Sequence, residues 1–268
     1  MQRAINQRSA KHLPFEAFLD LAAATNCVGV EPRNDLGRPL FDGIAPSVAA
    51  ELAKQRGLRI LALGEIYPFN NWNRERETQV RVLLDAAIES GAESIILIPE
   101  VNLAQTHTRQ LTAATVSAMD AIAYMLEGTG VTGLIEPIGF NSSSIRTQAD
   151  VVPLMTALGK DNPFKLIHDT FQHFISGDND YFAEHIATVQ ISGVSDPTVV
   201  LDESQDGHRV YVEAEDRCEN IAQLKALFSR GFDGPVSFET TEVALLDAPD
   251  LEAQMRKSFE YIERRLAE

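Results

Sequence analysis

The sequence predicts a single (β/α)₈ barrel, on three observations. Short β-rich runs alternate with amphipathic runs along the whole chain, as a parallel sheet with helical crossovers requires. Eight such pairs can be drawn, and no Gly/Ser-rich linker or change in composition divides them, so residues 1–268 read as one domain. The length of 268 residues also suits the barrel, which needs about 250. A doubly wound open sheet is the structural alternative, but no Gly-x-Gly-x-x-Gly follows the first strand and eight repeats favour closure.

The first strand is drawn at 3–6, and the helix after it carries Phe15, Phe18, Leu19 and Ala22 at spacings of three and four. Strands two and three fall at 28–31 and 59–64. The third helix turns Val80, Leu83, Leu84 and Ala87 to one side and stops at Ser90-Gly91, where glycine supplies a left-handed turn. Strands four to six are drawn at 94–98, 132–136 and 165–168, and strands seven and eight at 188–191 and 236–239. Arg230-Gly231 gives the seventh helix the same kind of stop.

Composition narrows the function. Hydrophobic residues make up 44% and charged residues 23%, ordinary for a soluble globular chain. The net charge of -16, from 39 acidic against 23 basic residues, would repel a polyanion, which argues against nucleic acid as a partner. No apolar run reaches the roughly 18 residues that cross a bilayer, and the start MQRAINQRSAKHLP lacks the apolar stretch of a signal peptide, so a cytoplasmic protein without a membrane partner is expected. Cys27 and Cys218 form no CxxC pair, so any metal would be held by oxygen or imidazole.

In such barrels chemistry sits at the C-terminal strand ends. Strand five ends Leu134-Ile135-Glu136-Pro137, strand six runs into His168-Asp169-Thr170, strand seven reads Val189-Gln190-Ile191-Ser192, and strand eight ends Ser237-Phe238-Glu239-Thr240. Alternation lets Leu134 with Glu136, Ile167 with Asp169, and Ser237 with Glu239 point into the barrel together, while His168 faces outward. Acids are 39 of 268 residues, about one in seven, so spacing alone fits both a shared metal site and a solvated acidic rim.

The words VEPRND (30–35), YPFNNW (67–72), LIEPIG (134–139), LIHDTFQHF (166–174) and VQISGVSD (189–196) resemble, across the whole chain, the xylose isomerase-like TIM barrel superfamily. Together they look like its 2-keto-myo-inositol (inosose) isomerase group. The resemblance implies one divalent cation held by Glu136, Asp169, Gln190 and Glu239, with Glu136 and Glu239 as the catalytic pair. Gln190 departs from the pattern, because similar proteins carry histidine there. An amide oxygen is the harder ligand, so Mn²⁺ or Mg²⁺ is favoured over Zn²⁺ or Co²⁺.

His173 matches the superfamily's Asp-x-x-x-His spacing and is read as reaching a substrate hydroxyl, although a lone histidine is more often structural. Arg209 lies where related barrels carry a sugar-binding arginine, or is a solvated loop charge. Asn70 and Trp72 follow strand three, where an amide and an aromatic face suit a polyol, and packing of Trp72 under its loop is the alternative. Arg33 and Asp35 either bind substrate or pair with each other, and substrate binding by Arg33 is the preferred reading. His12, His107, His185 and His208 carry no motif and read as surface or packing residues.

The expected activity is metal-dependent isomerisation or epimerisation of a polyhydroxy ketone, through an enediolate stabilised by the cation, within inositol catabolism. The implied partner is a small polyol or keto-sugar, and the residues leave a homo-oligomer open. A dehydratase on the same scaffold, with His173 as its acid, is the rival. A non-catalytic sugar-binding barrel is the alternative from another class, and a DNA endonuclease would need more histidine ligands and a basic face.

Overall fold

Nine strand segments form one sheet in the computed structural model, which describes residues 1–101, 108–246 and 248–268. They are β1 Gln2–Asn6, β2 Gly29–Glu31, β3 Arg59–Ile60, β4 Leu63–Ile66, β5 Ser94–Leu97, β6 Thr132–Ile135, β7 Phe164–Asp169, β8 Ile186–Ile191 and β9 Pro235–Phe238. The helices among the described residues are α1 Phe15–Ala24, α2 Pro46–Gln55, α3 Arg74–Ser90, α4 Thr108–Leu126, α5 Gln148–Ala157, α6 Thr170–Ser176, α7 Asn220–Ser229, α8 Val243–Leu246 and α9 Leu251–Ala267. None of them is long and apolar enough to cross a membrane.

The strand order is β3-β2-β1-β9-β8-β7-β6-β5-β4, all parallel. Its two ends are pieces of one strand, because only Leu61 and Ala62 separate β3 from β4. Leu61 N donates to Val30 O at 2.9 Å and Gly64 N to Pro32 O at 3.0 Å, so this strand stays joined to β2 and its continuation while β4 pairs with β5. The barrel therefore closes, and the strand drawn unbroken at 59–64 is interrupted. Gly64 sits where a Cβ would lie 2.8 Å from Arg33 Nη1, so its missing side chain makes room for that guanidinium.

Alternation distributes the core as expected for a closed sheet. Ala62, Ile96, Ile98, Leu134, Ile138 and Ile167 form one cluster on the inner face, while their neighbours Ile95, Leu97, Ile135 and Leu166 join the larger core beneath the helices. Phe15, Phe18, Leu19 and Ala22 of α1 are fully buried in that larger core, as are Val80 and Ala87 of α3. Gly91 and Gly231 stop their helices in left-handed conformation, with φ of 64° and 90°. Strand lengths differ from the drawn ones by a residue or two. Ile186 pairs with Leu166 across a register shift, an irregularity invisible to a period-two pattern, and β6 and β9 stop just before Glu136 and Glu239.

Candidate metal centre at the barrel mouth

Asp169 ends β7, its register partner on β8 is Gln190, and Gln190 pairs with Ser237 on β9, so all three side chains share the inner face with Glu239. Oxygens of Glu136, Asp169 and Glu239 lie within 4.8 Å of one another, and all three residues are buried. Local structure holds them there. Asp169 Oδ1 caps α6 by accepting from Gln172 N at 2.9 Å, and Gln172 Oε1 accepts from Gly139 N at 3.0 Å. A Cβ on Gly139 would lie 2.1 Å from Gln172 O, so only glycine lets the segment after β6 rest on α6 and keep Glu136 level with Asp169.

Arginines surround part of this cluster. Arg209, from the long segment between β8 and α7, donates from Nη2 to Asp169 Oδ2 and to Glu239 Oε2 at 3.0 Å, and from Nε to Ser192 Oγ at 2.8 Å. Glu239 Oε1 also faces Arg33 Nη1 at 3.7 Å and Arg8 Nε at 3.9 Å. Glu136 makes no ion pair among the described residues. Burial, reinforced by Glu239 and Asp169, pushes the Glu136 carboxyl well above the usual carboxylate range. Burial also raises Asp169 to about 6, outweighing Arg209, with Glu239 adding to the rise. For Arg209, burial works against the charge, but Asp169 and Glu239 overcome it and hold the guanidinium more firmly charged than usual.

A second buried layer lies beneath. Glu31 Oε2 accepts from Gln190 Nε2 at 2.9 Å and from Asn6 Nδ2 at 3.0 Å, and burial holds the Glu31 carboxyl above its ordinary value. Gln190 Oε1 is buried without a hydrogen-bond partner among the described residues. Leaving such an acceptor unmet costs about 1–3 kcal/mol, a debt that a cation would offset. Three carboxylates with one interposed guanidinium, beside an unmet amide oxygen, fit a hard divalent cation with oxygen ligands.

Above the carboxylates opens a cavity of about 580 Å³, lined by Arg8, Glu65, Tyr67, Glu136, Arg209 and Glu239 together with Ile138 and Phe140. The other residues expected to bind substrate do not line it. His173 is packed behind Asp169, its ring 4.6 Å from His168 and 4.9 Å from Tyr181, because α6 turns that face toward the outward side of β7. Asn70 is a buried loop clamp, donating to Thr115 Oγ1 and Ser144 Oγ at 3.1 and 2.9 Å and accepting from Glu100 N at 2.8 Å. Trp72 packs on the outer core beside α3 and α4. Arg33 lies under the mouth and spends its guanidinium on Asp35 at 2.8 Å and Glu65 at 2.5 Å, the pairing that competed with substrate binding. His12 is exposed, His185 and His208 are half-buried, and His107 lies outside the described residues.

Arg8, Glu65 and Glu31 were missed. Glu31 had a signal, since a carboxylate ending an otherwise buried strand must find buried partners. Arg8 follows β1 by two positions, as Arg33 follows β2, and that parallel was equally available.

His168 faces away from the cavity, with Gln148 Nε2 donating to its Nδ1 at 2.7 Å and its Nε2 donating to Gln223 Oε1 at 2.8 Å. Burial, then the neighbouring His173, lowers it from 6.5 to about 3. The folded chain thus refuses a proton that the unfolded chain accepts, so this residue costs stability as pH falls below about 6.5, by up to ~1.4 kcal/mol per pH unit. Melting temperatures measured from pH 7 to 5 should fall more steeply for the wild type than for His168→Asn. Equal slopes would mean that the imidazole titrates normally.

A family model described as xylose isomerase-like TIM barrel matches residues 19–265. Among solved structures, a xylose isomerase domain-containing protein from Salmonella typhimurium LT2 is 27% identical with a TM-score of 0.89, over 100% of this chain and 97% of that one. The IOLI protein, solved with a bound zinc atom, is 17% identical with a TM-score of 0.87 over 100% of both chains. An L-ribulose 3-epimerase is 15% identical with a TM-score of 0.77, over 99% of this chain and 94% of the other. No curated protein matches the sequence. A match that runs over nearly all the strands and helices just described leaves one assignment: the chain belongs to the xylose isomerase-like TIM barrel family.

Proposed function

We propose that the chain is a divalent-cation-dependent isomerase or epimerase of a small polyhydroxy ketone, with inosose (2-keto-myo-inositol) as the first substrate to test. The observation that carries this reading is the convergence of three buried carboxylates, two of them held above their usual range, at the floor of an open polar cavity. A xylose isomerase domain-containing relative, an L-ribulose 3-epimerase and the IOLI protein with its bound zinc support it. Glu136, Asp169, Glu239 and Gln190 Oε1 would hold the cation, and this oxygen set favours Mn²⁺ or Mg²⁺ over Zn²⁺. A bound cation supplies Lewis-acid stabilisation of the negative charge that grows on substrate oxygens as the proton leaves.

The chain's own groups divide the remaining work. Glu136, which makes no ion pair among the described residues and whose carboxyl burial holds well above the usual range, takes the carbon-bound proton. Glu239, facing Arg209, Arg33 and Arg8, relays a proton from solvent in the open cavity to the carbon that receives one, while Glu136 returns the proton it took to solvent. Arg8 and Arg209 offer donors to substrate hydroxyls at the cavity wall. The dehydratase reading has less support, because His173, the acid expected for it, does not line the cavity. Analysis of the product from inosose separates the two, since dehydration leaves an ultraviolet-absorbing enone.

Cation binding tests the reading directly. About one divalent ion should bind per chain, and binding should release protons as pH falls toward about 6, because burial favours the protonated forms of Glu136 and Asp169 whereas a ligand carboxylate must be ionised. Apparent Mn²⁺ affinity should therefore rise with pH through about 6. Calorimetry in buffers of different ionisation enthalpy counts both ions and protons. Absence of binding by Mn²⁺, Mg²⁺, Co²⁺ and Zn²⁺ would sink the proposal.

A further inference from the structure

Glu31 is fully buried at the end of β2 and does not line the mouth cavity, yet two amides converge on its Oε2. Their orientations are linked. Arg8 N donates to Asn6 Oδ1 at 3.0 Å, which leaves Asn6 Nδ2 to face Glu31 at 3.0 Å. Gln190 Nε2 reaches the same oxygen at 2.9 Å. A carboxylate accepts hydrogen bonds, so turning the Gln190 amide over would set two acceptor oxygens against each other. Glu31 thus selects which end of the amide it holds and leaves Oε1, buried and without a partner, as the free end on the inner face that Gln190 shares with Asp169.

We infer that Glu31 is a positioning residue for the metal centre: by capturing Nε2 of Gln190, it presents the amide oxygen rather than the amide nitrogen to the cation. The assignment rests on the metal-centre reading above and extends it to a residue one layer deeper. It also explains how a glutamine serves as a ligand, since a free amide has two nearly isosteric ends of which only one can ligate.

The test is Mn²⁺ affinity by calorimetry, with the fold of each variant checked by its melting curve. Glu31→Met, which removes the acceptor at similar volume, should weaken Mn²⁺ binding about 10- to 100-fold, the usual cost of losing a group that orients a ligand. Glu31→Gln should restore affinity to within a few-fold, because its own oxygen still accepts from both amides. In a Gln190→Ala background, Glu31→Met should change affinity by less than about threefold, since the group it orients is gone. A merely structural role would lower affinity equally in both backgrounds, and that result, or no loss at all, would overturn the inference while leaving the metal centre standing. Absence of Mn²⁺ binding by the wild type would remove both. If Glu31→Met does not fold, a crystal structure of the wild type with Mn²⁺ decides: coordination by Gln190 Oε1 with Nε2 on Glu31 supports the inference, and Gln190 outside the coordination shell overturns it.

Discussion

Glu136→Gln, assayed with saturating Mn²⁺, is expected to lose turnover of the keto-sugar by about 10²- to 10⁴-fold, the range for removing a general base. It should lose exchange of the substrate's carbon-bound hydrogen with solvent deuterium to the same degree. Glutamine keeps the size and one oxygen of the original side chain, so the deficit reports on proton transfer more than on architecture. Glu239→Gln should behave differently. If Glu239 delivers the second proton, its loss blocks product formation while Glu136 still removes the first proton and returns deuterium to the same carbon. Exchange without turnover is the expected signature, read by proton resonance loss in deuterium oxide. The division of labour fails if Glu136→Gln still exchanges, or if the two variants lose exchange alike. The contrast rests on environment: Glu136 lies buried with no ion pair among the described residues, whereas Glu239 is flanked by three guanidinium groups.

Much of the frame was legible because barrels obey simple periodicities. Period-two alternation set Leu134 with Glu136 and Ile167 with Asp169 on one face, and the inner apolar cluster contains Leu134 and Ile167. Glycine stops after the third and seventh helices appear as left-handed residues. Where alternation ends, so does legibility. Asn70 and Trp72 follow a strand that breaks at Leu61 and Ala62, and the path of the loop beyond depends on contacts with Thr115 and Ser144, far along the chain. His173 has family-like spacing, but α6 begins directly at Asp169, and its helical turn carries the ring behind the strand.

Charge partners were the least readable part. Arg33 and Asp35 are two residues apart and do pair, yet Glu65 and Arg8, which complete their network, come from other strand ends. Arg209 stands 40 residues from Asp169, and no spacing rule predicts that its side chain bridges Asp169 and Glu239. Ion pairing across a barrel mouth depends on closure of the sheet, which brings together segments that share no local pattern.

That bridge underlies the largest expected loss of stability. Arg209→Met should destabilise the cation-free protein by about 3–5 kcal/mol, because it keeps the apolar stem but leaves Asp169 and Glu239 buried without their shared countercharge. Arg209→Lys should recover only part of the loss, since one ammonium cannot reproduce a planar fork that bonds Asp169, Glu239 and Ser192 together. The sign of the pH dependence follows from Asp169. Even beside Arg209 its carboxyl is raised to about 6, and removing the guanidinium raises it further. A carboxyl raised on folding stabilises the chain while protonated and loses that contribution as pH climbs through its folded value, so the deficit of the variant should be smallest below about pH 6 and grow as pH rises above it. Mn²⁺ should then rescue Arg209→Met by more than it stabilises the wild type, because the dication replaces the missing positive charge. Urea unfolding at pH 5 and pH 8, with and without Mn²⁺, reads all of these shifts. A loss under 1 kcal/mol at pH 8 would show that the bridge contributes little to the fold, and equal stabilisation of both proteins by Mn²⁺ would mean that guanidinium and cation do not share the carboxylates.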